Sequence, residues 1–69
     1  MINSKFINLN GKLFNAAYLT SIDTISNDIE EEYIIRVHCI NGGYKDIYYN
    51  SAFKRNEDYN RILVELTNN

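Results

Sequence analysis

The residues that could carry out acid–base or nucleophilic chemistry are few, and they lie in one stretch of the chain. His38 is the only histidine and Cys39 the only cysteine among the 69 residues. If residues 33–49 form a β-hairpin, His38 faces Asp46 across it, and a carboxylate beside an imidazole is the pair that orients a catalytic histidine. Cys39 cannot serve this pair as a nucleophile, because adjacent strand residues point to opposite faces. We therefore interpret His38 and Asp46 as a cross-strand contact and Cys39 as a buried thiol, and we predict no enzymatic activity.

The sequence also lacks the patterns that hold metals or nucleotides. A structural zinc site needs four Cys or His ligands, and the chain has one of each. Acidic residues cluster between Ser26 and Glu32, but without the spacing and glycine turn of a calcium loop. Gly42-Gly43 falls between two strand-like runs and does not open a helix, as a phosphate-binding loop does. We expect no metal and no cofactor, and we interpret residues 26–32 as a solvated loop.

Length limits the architecture to one domain, residues 1–69. A chain this short buries only roughly 60% of its unfolded surface, so a single core gives marginal stability. A disulfide within the chain is impossible with one cysteine. Oligomerisation or a well-idealised core remains as the source of stability, and of the two we expect association as a homodimer.

Charge and hydropathy argue against nucleic acid and membranes as ligands. The formal net charge is −2 and the longest basic run is Lys54-Arg55, whereas binding through phosphates needs a concentrated cationic face. No apolar run approaches the length of a membrane span, and the N-terminus lacks the shape of a signal peptide. We expect a cytoplasmic protein that does not bind membranes.

The hairpin at residues 33–49 is the strongest structural signal, since Tyr33–Ile40 is rich in β-branched and aromatic residues. The glycines allow two registers. Asn41-Gly42 as a two-residue turn would pair Val37 with Asp46. A three-residue loop of Asn41, Gly42 and Gly43, with Gly43 left-handed, sorts the apolar residues better, and we predict it. Its pairs are Val37–Ile47, Ile35–Tyr49, His38–Asp46, Arg36–Tyr48 and Ile40–Tyr44.

This register predicts two unlike faces. The core face carries Ile35, Val37, Cys39, Ile47 and Tyr49. The other carries Ile34, Arg36, His38, Ile40, Tyr44, Asp46 and Tyr48. Mixed aromatic, aliphatic and arginine composition is typical of protein interfaces, although a half-exposed sheet face can also carry it. We predict a partner-binding site formed by Ile34, Arg36, His38, Tyr44, Asp46 and Tyr48.

The C-terminal part changes to a helical period, with Tyr59, Ile62, Leu63 and Leu66 at i, i+3, i+4 and i+7. Asn56 as N-cap predicts a helix from about 56 to 67, with Glu57 and Arg61 as an i,i+4 pair. A start at Asn50 or Ser51 is the alternative. The other predicted elements are a strand at Lys5–Leu9, a turn at Asn10-Gly11, a strand at Lys12–Phe14, a helical turn at Asn15–Tyr18 and a strand at Leu19–Ile25.

Together these elements predict an α+β fold. It is a small antiparallel β-meander of about four to five strands around the long hairpin, with the C-terminal helix packed on one face. That face should be the one that carries Ile35, Val37, Ile47 and Tyr49.

The order of parts resembles the FlbD family of small flagellar proteins. In that family a first strand ends in Leu-Asn-Gly, a segment beginning with Asn leads into a second strand, and a strand–Asn-Gly–strand hairpin precedes a C-terminal helix. The matching pieces here are Leu9-Asn10-Gly11, residues 15–25, Ile40-Asn41-Gly42 and the helix through Ile62 to Leu66. The chain departs from the family in lacking Pro after Asn15 and in its longer insertion at residues 26–32. The resemblance implies a similar fold.

The leading functional prediction is a non-enzymatic protein-binding module that docks on a partner stoichiometrically and occludes it. Short phage and mobile-element proteins of AT-rich bacteria share this size and composition, which suggests an inhibitor of a host enzyme or host defence, as anti-CRISPR proteins are. Two alternatives stay open. One is a FlbD-like flagellar accessory or regulatory protein. The other is a single-stranded nucleic-acid-binding module that stacks bases on Tyr44, Tyr48 and Arg36.

Overall fold

A computed structural model of the chain describes the backbone of residues 6–67 and the side chains of residues 6–65. Lys5 and the side chain of Leu66, which the sequence assigned to the first strand and to the helical stripe, lie outside the described residues. The elements are β1 (Phe6–Leu9), β2 (Lys12–Asn15), a 3-10 turn (Ala16–Tyr18), β3 (Leu19–Asn27), β4 (Glu32–Cys39), β5 (Tyr44–Tyr49) and α1 (Ala52–Thr67).

The strands form two antiparallel sheets, a two-stranded β1-β2 sheet and a three-stranded β3-β4-β5 sheet in chain order. The predicted α+β fold with consecutive antiparallel strands and a C-terminal helix is therefore confirmed. The division into two sheets follows the break at Ala16–Tyr18, where the chain leaves β2 through a helical turn. Asn15 caps that turn, because its side chain accepts a hydrogen bond from the Ala17 N–H at 3.0 Å.

The first hairpin has the turn that its sequence predicts. Asn10 and Gly11 have φ values of 52° and 85°, and two consecutive positive values define the type I′ turn that Asn-Gly favours. β1 and β2 pair so that Leu9 faces Lys12 and Ile7 faces Phe14. Ile7 and Leu9 are buried, while Phe6 is exposed on the opposite face, as the alternation predicted.

The predicted register of the central hairpin was wrong by two residues. The loop comprises Ile40, Asn41 and Gly42, and Gly42 takes the left-handed φ of 90° that we assigned to Gly43. The Gly42 N–H donates to the Cys39 carbonyl at 3.0 Å and the Cys39 N–H to the Gly43 carbonyl at 2.8 Å, as in a turn followed by a glycine bulge. The observed pairs are Ile34–Tyr48, Ile35–Ile47, Arg36–Asp46, Val37–Lys45 and His38–Tyr44.

A shift of two residues exchanges partners but preserves faces, so the predicted core face survives. Ile35, Val37, Ile47 and Tyr49 are buried in one cluster with Ile7, Leu9, Ile22 and Ile62. The helix covers this face, as predicted, because Ile62 belongs to the cluster and Tyr59 packs against it. Cys39 is half-buried rather than a core residue, since it lies at the end of β4 beside the turn.

The loop assigned to residues 26–32 is shorter than predicted. β3 continues to Asn27 and β4 begins at Glu32, so the turn comprises residues 28–31. The Asn27 side chain caps it by accepting a hydrogen bond from the Glu30 N–H at 3.3 Å. Polar residues at the solvent end of a hairpin can still pair through their backbones, and this pairing was not visible in the hydrophobic pattern.

The helix begins at Ala52, so the start at Asn56 was wrong and the alternative near Ser51 is correct. Ser51 is the N-cap, because its hydroxyl accepts a hydrogen bond from the Lys54 N–H at 3.1 Å. Arg55 is buried, and its Nη1 donates a hydrogen bond to the Ile25 carbonyl at 2.9 Å. This bond ties the first turn of the helix to β3. Arg61 pairs with Asp58 and Glu65, not with Glu57.

Asp58 joins the helix to both sheets. Only 3% of the surface of Asp58 is exposed. Its Oδ2 accepts hydrogen bonds from the Tyr49 hydroxyl at 2.8 Å and from the Asn10 N–H at 3.3 Å. Oδ1 lies 3.3 Å from both Lys54 Nζ and Arg61 Nη2. Arg61 also donates to the Asn8 carbonyl at 2.7 Å. This network fixes α1 against β5 and against the first hairpin.

Burial alone would raise the pKa of Asp58, but the hydrogen bonds from Tyr49, Arg61, the Asn10 N–H and Lys54 outweigh it, and the pKa lies below its usual value. Burial, and then the hydrogen bond to Asp58, raises the pKa of the Tyr49 hydroxyl far above its usual value. At neutral pH Asp58 is therefore the ionised acceptor and Tyr49 the neutral donor.

Replacing Asp58 with Ala should lower the free energy of unfolding by about 2 kcal/mol, because the buried Tyr49 hydroxyl loses its acceptor. Tyr49→Phe should cost about 1 kcal/mol, since the other donors to Asp58 remain. Urea unfolding followed by circular dichroism measures both. Glu57→Ala, in the same part of the helix but exposed, is the matched control and should change stability by under about 0.5 kcal/mol. Equal effects of Asp58→Ala and Glu57→Ala would contradict the network.

The same carboxylate should make stability fall at low pH. Because the folded pKa of Asp58 is below the unfolded value of about 3.9, its contribution is present above that value and is lost as the pH falls through the folded pKa. Urea midpoints measured across the acidic range should fall less steeply for Asp58→Asn than for wild type. An identical acid dependence of the two proteins would show that Asp58 is not held as described.

Candidate protein-binding surface

The face of the β3-β4-β5 sheet that points away from α1 is called here the outer face. Alternation along β4 places Ile34, Arg36 and His38 on it, and pairing with β5 adds Tyr44, Asp46 and Tyr48. Pairing with β3 adds Asp23, which lies opposite Arg36. All six residues predicted for the partner site therefore lie on one face, and Asp23 joins them.

Arg36 and Asp46 form a two-pronged ion pair across β4 and β5. Arg36 Nε lies 2.7 Å from Asp46 Oδ1, and Nη2 lies 3.0 Å from Oδ2. The guanidinium carbon also lies 4.1 Å from the centre of the Tyr44 ring, within cation–π range. The guanidinium is thus held in one orientation by a carboxylate and an aromatic face at the same time.

Each partner stabilises the charged form of the other. The hydrogen bonds that Arg36 donates to Asp46 raise the pKa of Arg36 and lower the pKa of Asp46, despite the partial burial of the carboxylate. Both groups are therefore charged at neutral pH. About a third of the Arg36 side chain stays accessible, at 31%, so the paired guanidinium still presents a surface to a partner.

His38 does not face Asp46, so that predicted pair was wrong. Its Nε2 lies 2.9 Å from Asp23 Oδ2, across the β3–β4 pairing, while its ring centre lies 6.4 Å from that of Tyr44. In the observed register, which differs from the predicted one by two residues, Asp46 lies opposite Arg36 and Tyr44 lies opposite His38. Asp23 could orient the imidazole, but Cys39 follows His38 on the strand and points to the other face.

Ile34 differs from the other predicted site residues because it is buried. It lies on the outer face between Ile25 of β3 and Tyr48 of β5, and only 6% of its surface is exposed. Tyr44 and Tyr48 are each 56% exposed. Ile34 is thus a buried part of this face, whereas Tyr48 opposite it and Tyr44 opposite His38 are accessible to a partner.

Sequence reasoning missed Asp23 because it considered only one strand pairing. A signal was available, since Ser21, Asp23 and Ile25 alternate away from buried Ile22 and must share a face with Arg36 or its neighbours. The opposite charges of Arg36 and Asp46 were a second signal, because facing residues of opposite charge stabilise a strand pair.

Among residues 6–65, no three His, Cys, Asp or Glu side chains lie close enough together to hold a metal ion. None of the described residues belongs to a helix with the length and hydrophobicity that a membrane span requires. Comparisons with protein-family models, with curated proteins and with solved structures found no match. The resemblance to the FlbD family stays a prediction.

Removing the guanidinium should release the Asp46 carboxylate. We expect Arg36→Met to raise the pKa of Asp46 toward its ordinary value, because the hydrogen bonds that favour its charged form disappear. Carbon-detected NMR titration of the side-chain carboxyl measures this pKa. Lys45→Met, which removes the neighbouring cation on the other face of β5, is the control and should leave the pKa of Asp46 lowered. An unchanged pKa in Arg36→Met would refute the two-pronged pair.

Proposed function

We propose that the chain is a non-enzymatic protein-binding module whose outer face docks on a partner protein and occludes it. The observation that carries the proposal is the fixed guanidinium of Arg36, which Asp46 holds from one side and Tyr44 from another. Arginine and tyrosine are, with tryptophan, the residue types enriched at energetically dominant interface positions. Tyr48 stands beside them, half exposed.

Preorganisation supports this use of the surface. Binding normally costs about 0.5–1.5 kcal/mol for each flexible side chain that becomes ordered. On the outer face, Arg36 and His38 are already held by carboxylates in the unbound protein. A partner that docks there would not have to order them again, and it would shield the ion pairs from water, where such pairs are weakest.

The balance of charge favours a protein over a nucleic acid as the partner. Arg36 is flanked by Asp46 in its ion pair and by Asp23 directly across the strand. Two carboxylates beside one guanidinium leave no net positive field for a phosphate backbone. A protein surface, in contrast, offers both donors and acceptors to such a mixed face.

Occlusion is the mode of action that we propose for so small a protein. An inhibitor of a host enzyme or host defence, encoded by a phage or another mobile element, is the finer form of this proposal, and it is supported by size and composition. Stoichiometric inhibitors need a rigid, preformed surface and no active site, which suits the outer face described above.

A tagged protein should retain one partner from a lysate of its own cells, in a fixed ratio, and lose it on Arg36→Glu or Tyr48→Ala. Arg36→Glu places three carboxylates together on the outer face, and Tyr48→Ala removes an exposed aromatic anchor. Affinity capture with mass spectrometry identifies the partner, and calorimetry with the purified partner measures the loss, which we expect to be at least about tenfold.

Phe53→Ala is the matched control, because Phe53 is an aromatic residue that is 77% exposed on the helix, away from the outer face. It should leave binding unchanged. Loss of the partner with Phe53→Ala but not with Tyr48→Ala would move the interface to the helix. A labelled single-stranded oligonucleotide that shifts at low salt and is released at high salt would instead support the nucleic-acid alternative.

A further inference from the structure

Charged side chains that lack an opposite charge collect at two separate places. Within residues 6–65, Arg36, Lys54 and Arg61 each have a carboxylate partner, and Arg55 donates to backbone carbonyls. The side chains of Lys12 and Lys45 make no ion pair or hydrogen bond with any of these described residues. Asp23 has the His38 imidazole as its partner. The described carboxylates that have neither a lysine, an arginine nor a histidine partner are Asp28, Glu30, Glu31 and Glu32, which all belong to the β3–β4 turn and the residue after it.

The two lysines line the same cleft. It lies between β2 and β5, has a volume of about 450 Å³, and is completed by Leu13, Phe14 and Ile47. Asp46 also lines it, but its charge is taken up by Arg36. β2 pairs only with β1 and β5 only with β4, so each strand has an unpaired edge in this described part of the chain. Among the described residues, the cleft therefore brings two lysines that have no ion pair next to the apolar side chains of Leu13, Phe14 and Ile47.

The turn at residues 28–31 has the complementary composition. Its carboxylates surround Ile29, which is 92% exposed and so gains almost no burial from its own chain. An apolar residue among acidic ones complements a cleft that is lined by two lysines and three apolar side chains. Charge complementarity of this kind steers association and specifies the partner surface.

We propose that the cleft between β2 and β5 receives the 28–31 turn of a second copy of this chain. Ile29 of one copy enters the apolar part of the cleft, and the acidic residues of the turn meet Lys12 and Lys45. Because each copy carries one cleft and one turn, the contact can be made twice about a twofold axis, which closes a dimer. Asp46 is the outer-face residue that also lines the cleft, but its charge is paired with Arg36, and the contact uses Lys12, Lys45 and the 28–31 turn instead. The proposal therefore does not depend on the proposed function.

The dimer should be small in interface and sensitive to salt. A turn in a cleft buries less surface than a standard interface, and its ion pairs remain near solvent. Sedimentation equilibrium should show reversible association toward twice the protomer mass of 8.1 kDa. Raising the salt from about 0.1 M to about 1 M shortens the Debye length from about 10 Å to about 3 Å and should shift the equilibrium toward the monomer.

Charge reversal on either side tests the contact directly. Lys12→Glu/Lys45→Glu and Glu30→Lys/Glu31→Lys should each raise the dissociation constant at least about tenfold, because like charges then face each other. An equimolar mixture of the two double variants should associate again, since each restores complementarity to the other. That recovery also excludes misfolding as the cause of the loss. Asn60→Glu, an exposed change on the helix, is the control and should leave the dimer intact.

Three results would overturn the proposal. The first is a wild-type protein that sediments as a monomer at every concentration. That result would overturn the proposal even if the cleft were found to bind an acidic segment of a different protein. The second is a dimer that both double variants leave unchanged. The third is a mixture of the double variants that stays monomeric while each is folded by circular dichroism. Binding of the partner to the outer face, measured with the same variants, is expected to persist, so failure of one proposal is distinguishable from failure of the other.

Discussion

One constraint governs this molecule: within residues 6–67, the helix and the first hairpin cover one face of the three-stranded sheet and leave the other face uncovered. The helix and the first hairpin both pack on the face of Ile35, Val37 and Ile47, with Ile62 and Leu9 in the same cluster. Since strand residues alternate, burial of that face sends the intervening residues of β4 and β5 to the other. The side chains of the outer face are therefore held in place by contacts within the sheet. Because they do not have to pack against another element, they can serve a function other than packing.

Polar contacts serve different purposes on the two sides of the sheet. On the inner side, Asp58 and Arg55 are buried and join the helix to backbone and hydroxyl groups of the strands, so their loss would leave unpaired buried groups. On the outer side, the Arg36–Asp46 and His38–Asp23 pairs are open to water, where such pairs add little stability. What the outer pairs provide is orientation, which is the property that a binding surface needs.

Alternation and turn chemistry made much of the fold predictable. Asn10-Gly11 has few conformations other than a type I′ turn, and the alternation around Ile35 and Val37 sets the buried face in any register of the same parity. The exact partners were not predictable in this way, because Gly42 and Gly43 can both adopt positive φ and the pattern of burial does not distinguish registers two residues apart. The helix start depended on one hydroxyl of Ser51, and Asp23 entered the site through a pairing that the hairpin alone does not contain.

The proposed function requires the outer face to contact the partner protein. NMR titration of the isotope-labelled protein with the captured partner tests this claim most directly, because side-chain signals on the two sides of the sheet are separately observable. We expect the Arg36 Nε–H, the His38 imidazole and the rings of Tyr44 and Tyr48 to shift or broaden, while the buried Tyr49 and the helix residue Phe53 change little. Changes confined to Phe53 and its neighbours on the helix, with the outer face unaffected, would contradict the account.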